Sequence, residues 1–67
     1  MISNLDIWRT ANVLVKEHGD EAALIAARRC DALLTTADLD GLRLWKGILR
    51  AVEELRRAQR KNGERVN

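Results

Sequence analysis

The sequence contains no proline, tyrosine or phenylalanine, and it has only one cysteine, Cys30, and one histidine, His18. A single cysteine excludes an intrachain disulfide, and one Cys with one His cannot provide the four ligands of a structural zinc site. The longest apolar run covers residues 22–27, far short of the roughly 20 residues that span a bilayer. Residues 1–10 lack the basic start and apolar run of a signal peptide. We therefore expect no metal, no cofactor and no membrane insertion, and the lone free thiol favours the cytoplasm.

The abundant residue types favour helices. Alanine, leucine, arginine and glutamate are frequent in the 67 residues, and all are strong helix formers. A chain of this length forms a single domain, residues 1–67, and buries too little surface to be more than marginally stable. Without a disulfide or a metal, regular helix packing or oligomerisation has to provide the missing stability.

Capping signals divide the chain into three predicted helices and a loose tail, which cover about residues 4–18, 21–36, 39–61 and 62–67. Ser3 with Asp6 forms a variant of the capping box at the first start. Gly19 suits the left-handed residue that ends a helix, and Asp20 and Asp38 are placed to cap the second and third helices. The predicted fold is all-α, with short turns between the helices.

Apolar residues recur with helical spacing in each segment. The predicted buried faces are Ile7, Trp8, Ala11, Leu14, Val15 and His18 on the first helix, and Ala23, Ala26, Ala27, Cys30, Leu33 and Leu34 on the second. The third helix carries two neighbouring stripes, Leu44, Ile48, Ala51, Leu55 and Ala58 beside Leu42, Trp45, Leu49 and Val52. A surface helix needs only one stripe, so the third helix is predicted to lie centrally, against both other helices or a second chain.

The third helix is also predicted to be the longest, ending near Gly63. At 1.5 Å per residue it would measure about 35 Å, against about 22 Å for each of the others. About two turns would then stay uncovered, and an uncovered apolar stripe is typical of an interaction surface. We therefore predict a compact helical bundle completed by homodimerisation, with these candidate self-association residues: Ile48, Val52, Leu55 and Ala58.

No arrangement of residues predicts catalysis. Ser3 and His18 stand at opposite ends of one helix, about 22 Å apart, whereas a nucleophile and its base must lie within hydrogen-bonding distance. The sequence has no glycine-rich phosphate loop and no paired-histidine motif. Cys30 is expected to pack as a small apolar side chain. Trp8 and Trp45 are expected to anchor the core; stacking on nucleic-acid bases, the alternative, would require them to be exposed.

Charge is distributed unevenly along the chain. Residues 1–40 carry a net charge of −3 and residues 41–67 a net charge of +5, an asymmetry that can mark nucleic-acid binding. However, acids at helix starts and bases at a helix end are also the placement that the helix dipole favours, and Glu53 and Glu54 are spaced to pair with neighbouring arginines. A solvated face is therefore the favoured interpretation. The candidate basic patch consists of Arg57, Arg60, Lys61 and Arg65.

A set of short motifs runs through residues 6–55: Arg9-Thr10-Ala11, His18-Gly19, Ala26-Ala27, Asp31, Leu33, Asp38-Leu39-Asp40-Gly41, Trp45, Ile48 and Glu53-Glu54-Leu55. With this spacing the chain resembles a family of very short alphaproteobacterial proteins that is classed only as a domain of unknown function. The resemblance implies an all-helical domain and brings no activity, cofactor or partner. The basic residues after Leu55 lie outside it.

Two functional hypotheses of different classes follow from the sequence. The first is a non-catalytic protein–protein interaction module that self-associates through its third helix. The second is a small nucleic-acid-binding or regulatory protein that uses the basic end of the same helix. A helix-turn-helix presents polar side chains to the bases, whereas the predicted second helix begins with Asp20 and Glu21 and continues as an apolar run. The first hypothesis is therefore favoured, and an enzyme is the least supported class.

Overall fold

The structure, a computed structural model, describes the backbone of residues 4–65 and the side chains of residues 4–59. The predicted all-α class is confirmed, because every element within these residues is helical. The elements are α1 (Asn4–His18), a 3₁₀ helix (Gly19–Glu21), α2 (Ala22–Thr35) and α3 (Leu39–Arg65). The first three elements follow one another directly over residues 4–35, and α3 covers residues 39–65. The predicted capping residue Ser3 lies outside the described part of the chain.

The junction between α1 and α2 depends on Gly19. This residue has a φ of 55°, a left-handed conformation that glycine adopts without steric cost, and α1 ends immediately before it. The chain then stays helical, and the predicted capping role of Asp20 is wrong: α2 has no side-chain cap hydrogen bond at Glu21, its N-cap position. Because Asp20 is already inside the 3₁₀ helix, its carboxylate is directed elsewhere and forms an ion pair with Arg56 of α3.

The turn between α2 and α3 is a Schellman motif followed at once by a helix cap. The Asp38 N–H donates to the Leu33 carbonyl at 2.9 Å and the Ala37 N–H donates to the Leu34 carbonyl at 3.1 Å, the bond pair that defines this motif. Ala37 is the left-handed residue, with a φ of 58°. Asp38 then caps α3, as predicted, because its Oδ1 accepts a hydrogen bond from the Gly41 N–H at 3.0 Å.

Gly19 and Ala37 both have a left-handed backbone conformation. Replacing the glycine with alanine and the alanine with glycine should therefore change the free energy of unfolding in opposite directions. This conformation destabilises an L-residue by about 1–2 kcal/mol. Glycine avoids that cost, but it destabilises the folded state by roughly 0.5–1 kcal/mol because its unfolded chain has more conformational freedom. We expect Ala37→Gly to raise the free energy of unfolding by about 0.5–1 kcal/mol and Gly19→Ala to lower it by about 1 kcal/mol. A Cβ on Gly19 would meet nothing within 4 Å, so that loss comes from the backbone alone. Urea unfolding followed by circular dichroism measures both; changes of the same sign would contradict this account.

α3 occupies the centre of the fold, as its two apolar stripes predict. It packs against both α2 and α1, more extensively than these two helices pack against each other. The buried side chains are mostly small: Ala11, Val15, Ala22, Ala26, Ile48, Ala51 and Val52. Gly47 allows α1 to approach closely, because a Cβ at this position would lie 3.2 Å from Cδ1 of Ile7. The core is therefore narrow, and small residues determine the distances between its helices.

Three residues that the apolar pattern places in the core lie outside it. Trp8 is 40% exposed and Leu34 is 61% exposed, and His18 is exposed at the end of α1. Trp8 and Leu34 lie towards the edges of their predicted stripes, where helical spacing alone does not distinguish a buried side chain from a flanking one. His18 is the last residue of α1. The other tryptophan, Trp45, is half-buried against the core, and the Arg29 guanidinium lies 5.2 Å from its ring centroid.

α3 extends beyond the α1–α2 junction. It has 27 residues against 15 in α1 and 14 in α2, and the Arg56–Asp20 ion pair marks where it passes the junction. The helix continues to Arg65, beyond its predicted end. A glycine inside a helix costs only about 1 kcal/mol relative to alanine, so Gly63 permits a helix end without enforcing one. Within the described residues, no helix is both long and apolar enough to cross a membrane.

Candidate interaction surfaces

The predicted self-association face on α3 is largely occupied within the chain. Ile48 is 2% exposed and Val52 is 0% exposed, and both belong to the core cluster. In this fold their side chains contact the other helices of the same chain, so the role of these two residues in self-association stays a prediction from the sequence. Leu55 is partly buried against the same core. Only Ala58, near the end of the stripe, is exposed.

A different surface, here named the Trp8 groove, runs between α1 and α3. It has a volume of about 260 Å³ and is lined by Asn4, Ile7, Trp8, Gly47, Arg50, Ala51 and Glu54. The two small residues Gly47 and Ala51 leave α3 nearly flat here, so the larger side chains of α1 form one wall. On α3, Arg50 and Glu54 stand one helical turn apart, which places opposite charges beside an apolar floor.

Trp8 has an exposed apolar neighbour on α1. Leu5 is 58% exposed and lies three residues before Trp8, the spacing at which side chains on one helix face are neighbours. The other exposed large apolar residues of the described chain are Val13, Leu24, Leu34 and Leu39. Singly exposed apolar residues are normal on a protein surface, whereas Leu5 and Trp8 form a pair beside a groove.

A second cleft, at the α1–α2 junction, is charged. It has a volume of about 480 Å³ and is lined by Asp20, Ala23, Glu53, Arg56 and Arg57. The Arg56 guanidinium binds Asp20 and also donates from Nη1 to Oε1 of Gln59 at 3.1 Å. The lining carries two carboxylates, Asp20 and Glu53, and two guanidinium groups, Arg56 and Arg57, so the cleft has no net formal charge to attract a charged ligand.

The predicted basic patch is only partly within the described structure. The Arg57 side chain is 65% exposed and pairs with Glu54 at 3.1 Å, an i, i+3 pair of the kind that the sequence predicts. The side chains of Arg60, Lys61 and Arg65 lie outside the described residues. Arg56, at the base of the same segment, is bound to Asp20, a partner that the sequence did not reveal because it comes from another helix.

The residues considered for catalysis do not come together. His18 is exposed at the end of α1, Cys30 is a partly buried free thiol on α2, and Ser3 lies outside the described residues. Among the described side chains, no three of the His, Cys, Asp and Glu type are grouped so that they could hold a metal ion. Comparison of the chain with known protein families, curated proteins and solved structures finds no match. The functional argument therefore rests on the surfaces described above.

Proposed function

We propose that this protein is a non-catalytic interaction module that associates with a second copy of itself. The small size of the core supports this most directly. Among the larger side chains of the described residues, only Ile48 and Val52 are fully buried, and alanines make up most of the remaining core. Burial contributes about 25 cal/mol per Å² of apolar surface, so a core of this kind provides little stabilisation, and small domains commonly gain the rest by association.

The exposed area supports the same proposal. The protein exposes 5320 Å², whereas a compact monomer of 7.6 kDa is expected to expose about 4,300 Å². The excess of about 1,000 Å² is similar to the roughly 800 Å² that each partner buries in an interface of standard size. An elongated shape, with extents of 46 × 22 × 16 Å, produces this excess, and a second copy would cover part of it.

Association would also complete the helical bundle. In the proposed dimer the exposed face of each copy is covered by the other copy, with Leu55 and Ala58 near the border of the contact. Membership of the short alphaproteobacterial family and a cytoplasmic location stay predictions from the sequence, and neither is required for self-association.

Sedimentation equilibrium tests the proposal directly. We expect an average mass that rises with concentration from the 7.6 kDa of one chain towards twice that value. The loading series should extend from about 1 µM to several hundred micromolar, which covers the affinities of weak and standard interfaces. A mass that stays at that of one chain throughout the series would reject self-association.

Nucleic-acid binding is a second candidate, and the extent of α3 favours it. Because the helix continues to Arg65, positions 57, 60, 61 and 65 follow one another at spacings of three, one and four residues and fall on one side of it. Contacts with phosphates would give an affinity that falls steeply with salt concentration. A fluorescent single-stranded and a double-stranded oligonucleotide, titrated at 20 mM and 200 mM salt, would reveal this dependence. Failure to bind either oligonucleotide at the lower salt concentration would reject this candidate.

A further inference from the structure

We propose that the Trp8 groove is the surface through which two copies pair, with Trp8 of each copy packed over the groove of the other about a twofold axis. This inference rests on the proposed self-association and assigns it a location. This location differs from the face predicted from the sequence, where Ile48 and Val52 are buried in the core.

The centre of the groove has the composition of an interface hot spot. Trp8, with 40% of its surface exposed, stands beside Ile7, Gly47 and Ala51. Tryptophan is the residue type most enriched among side chains that dominate binding energy, and such residues pack into apolar recesses of the partner. The volume of about 260 Å³ is below the roughly 300–1,000 Å³ of small-molecule pockets. It is therefore better suited to a side chain presented by a protein surface.

The charges at the rim identify the second copy as the occupant. Arg50 and Glu54 lie on the same edge of α3 with an i, i+4 spacing, and a twofold axis between them would place two α3 helices antiparallel. Each Arg50 would then face Glu54 of the second copy, and the pair would occur twice, as isologous contacts require. A surface that carries both charges in this order is complementary to itself, so a second copy provides both matching charges.

Both charged groups have capacity for this contact. Arg50 forms no ion pair within the described residues. Glu54 accepts a hydrogen bond from Arg57 through Oε1 at 3.1 Å, and a carboxylate has a second oxygen with its own acceptor sites. The Arg57 contact also holds the carboxylate in place on the exposed surface of α3.

Removing the tryptophan tests the apolar part of the interface. We expect Trp8→Ala to raise the dimer dissociation constant by at least about 30-fold, the effect of losing a hot-spot side chain. Leu24→Ala is the control, because Leu24 on α2 is 49% exposed but does not line the groove, and its dissociation constant should stay within about twofold of the unsubstituted protein. Circular dichroism at low concentration verifies that both variants fold.

Charge reversal tests the twofold pairing. Arg50→Glu would place two carboxylates against each other, and Glu54→Arg would do the same with two cations, so each should weaken the dimer by roughly tenfold. The double variant Arg50→Glu/Glu54→Arg restores opposite charges across the axis and should return to within about threefold of the original dissociation constant. A double variant as weak as the single ones would overturn the twofold pairing.

Fluorescence adds a readout that does not depend on a substitution at the groove. In a Trp45→Phe background, Trp8 is the only tryptophan, and its emission should shift to shorter wavelength as concentration rises and the indole leaves water. If the unsubstituted protein dimerises but Trp8→Ala and the charge reversals leave the dissociation constant unchanged, self-association stands and the groove assignment is overturned. If the protein is monomeric throughout, the proposed function itself fails.

Discussion

Replacing Ile48 with alanine is expected to lower the free energy of unfolding by about 2–5 kcal/mol. Ile48 is 2% exposed, so the substitution removes three buried carbons and leaves a cavity that the neighbouring helices can only partly close. The total stability of a domain of 67 residues is roughly 3–10 kcal/mol. The loss is therefore a large part of the whole, and a substantial fraction of the molecules would be unfolded at physiological temperature.

Two valines provide a matched control for this result. Val52 is 0% exposed in the core, whereas Val13 on α1 is 51% exposed, so Val52→Ala and Val13→Ala delete the same atoms in opposite environments. Urea unfolding at a protein concentration below the dimer dissociation constant should give a clear loss for Val52→Ala. For Val13→Ala we expect a change within about 0.5 kcal/mol. Low concentration matters because association adds stability to any folded species that forms a dimer.

Ile48→Ala also separates the structural role of this residue from the interface role that the sequence indicates. A core residue reduces the stability of the monomer. An interface residue on an exposed face would leave the monomer stable and weaken only the dimer. A variant with unchanged monomer stability and a raised dissociation constant would show that α3 presents Ile48 to a second chain in solution.

The features that the sequence predicts well are local. The end of α1 before Gly19 and the cap at Asp38 depend on residues within one turn of each other, and such signals are readable from neighbouring residue types. The left-handed Ala37 carries no such mark, because the sequence has alanine where glycine is usual. Its conformation becomes apparent only from the hydrogen bonds that close the turn.

The features that the sequence misses depend on contacts between helices. Helical spacing places Trp8 on the same stripe as Ile7, but which side of that stripe faces α3 is decided by how the helices cross. The partner of Asp20 is likewise Arg56, a residue that is distant in sequence, and local capping preference favours a different role. Tertiary contact in both cases determines an outcome that local propensity leaves open.

The candidate groove could have been suspected from one signal. Gly47 is a glycine inside the predicted third helix, where it costs about 1 kcal/mol relative to alanine, and a glycine kept there indicates a packing reason. The sequence could not identify Ile7 as the opposing residue, nor the exposed position of Trp8. The basic end was visible as a cluster, but the pairing of Arg56 with another helix was not.

Enlarging a core alanine is expected to destabilise the protein by an amount that overlaps the lower part of the range for Ile48→Ala. Ala26 is 0% exposed on α2, which packs mainly against α3. A leucine there would require displaced side chains or a shift of the helix, and overpacking of this kind costs about 1–3 kcal/mol. We expect Ala26→Leu to lower the urea midpoint of unfolding by a corresponding amount.

Ala32→Leu is the matched control for Ala26→Leu, because the same substitution then occurs on the same helix at an exposed position. Leucine and alanine differ little in helix propensity, so the expected change in stability is within about 0.5 kcal/mol. Equal effects at the two positions would contradict a closely packed alanine face on α2.

The Ala26→Leu variant also tests the location of the dimer interface, because Ala26 is on α2 and the Trp8 groove lies between α1 and α3. Folded Ala26→Leu protein should therefore have a dimer dissociation constant close to that of the unsubstituted protein. Trp8→Ala should keep the monomer stability of the unsubstituted protein and lose the dimer. The two variants together separate the packing of the core from the pairing of the chains.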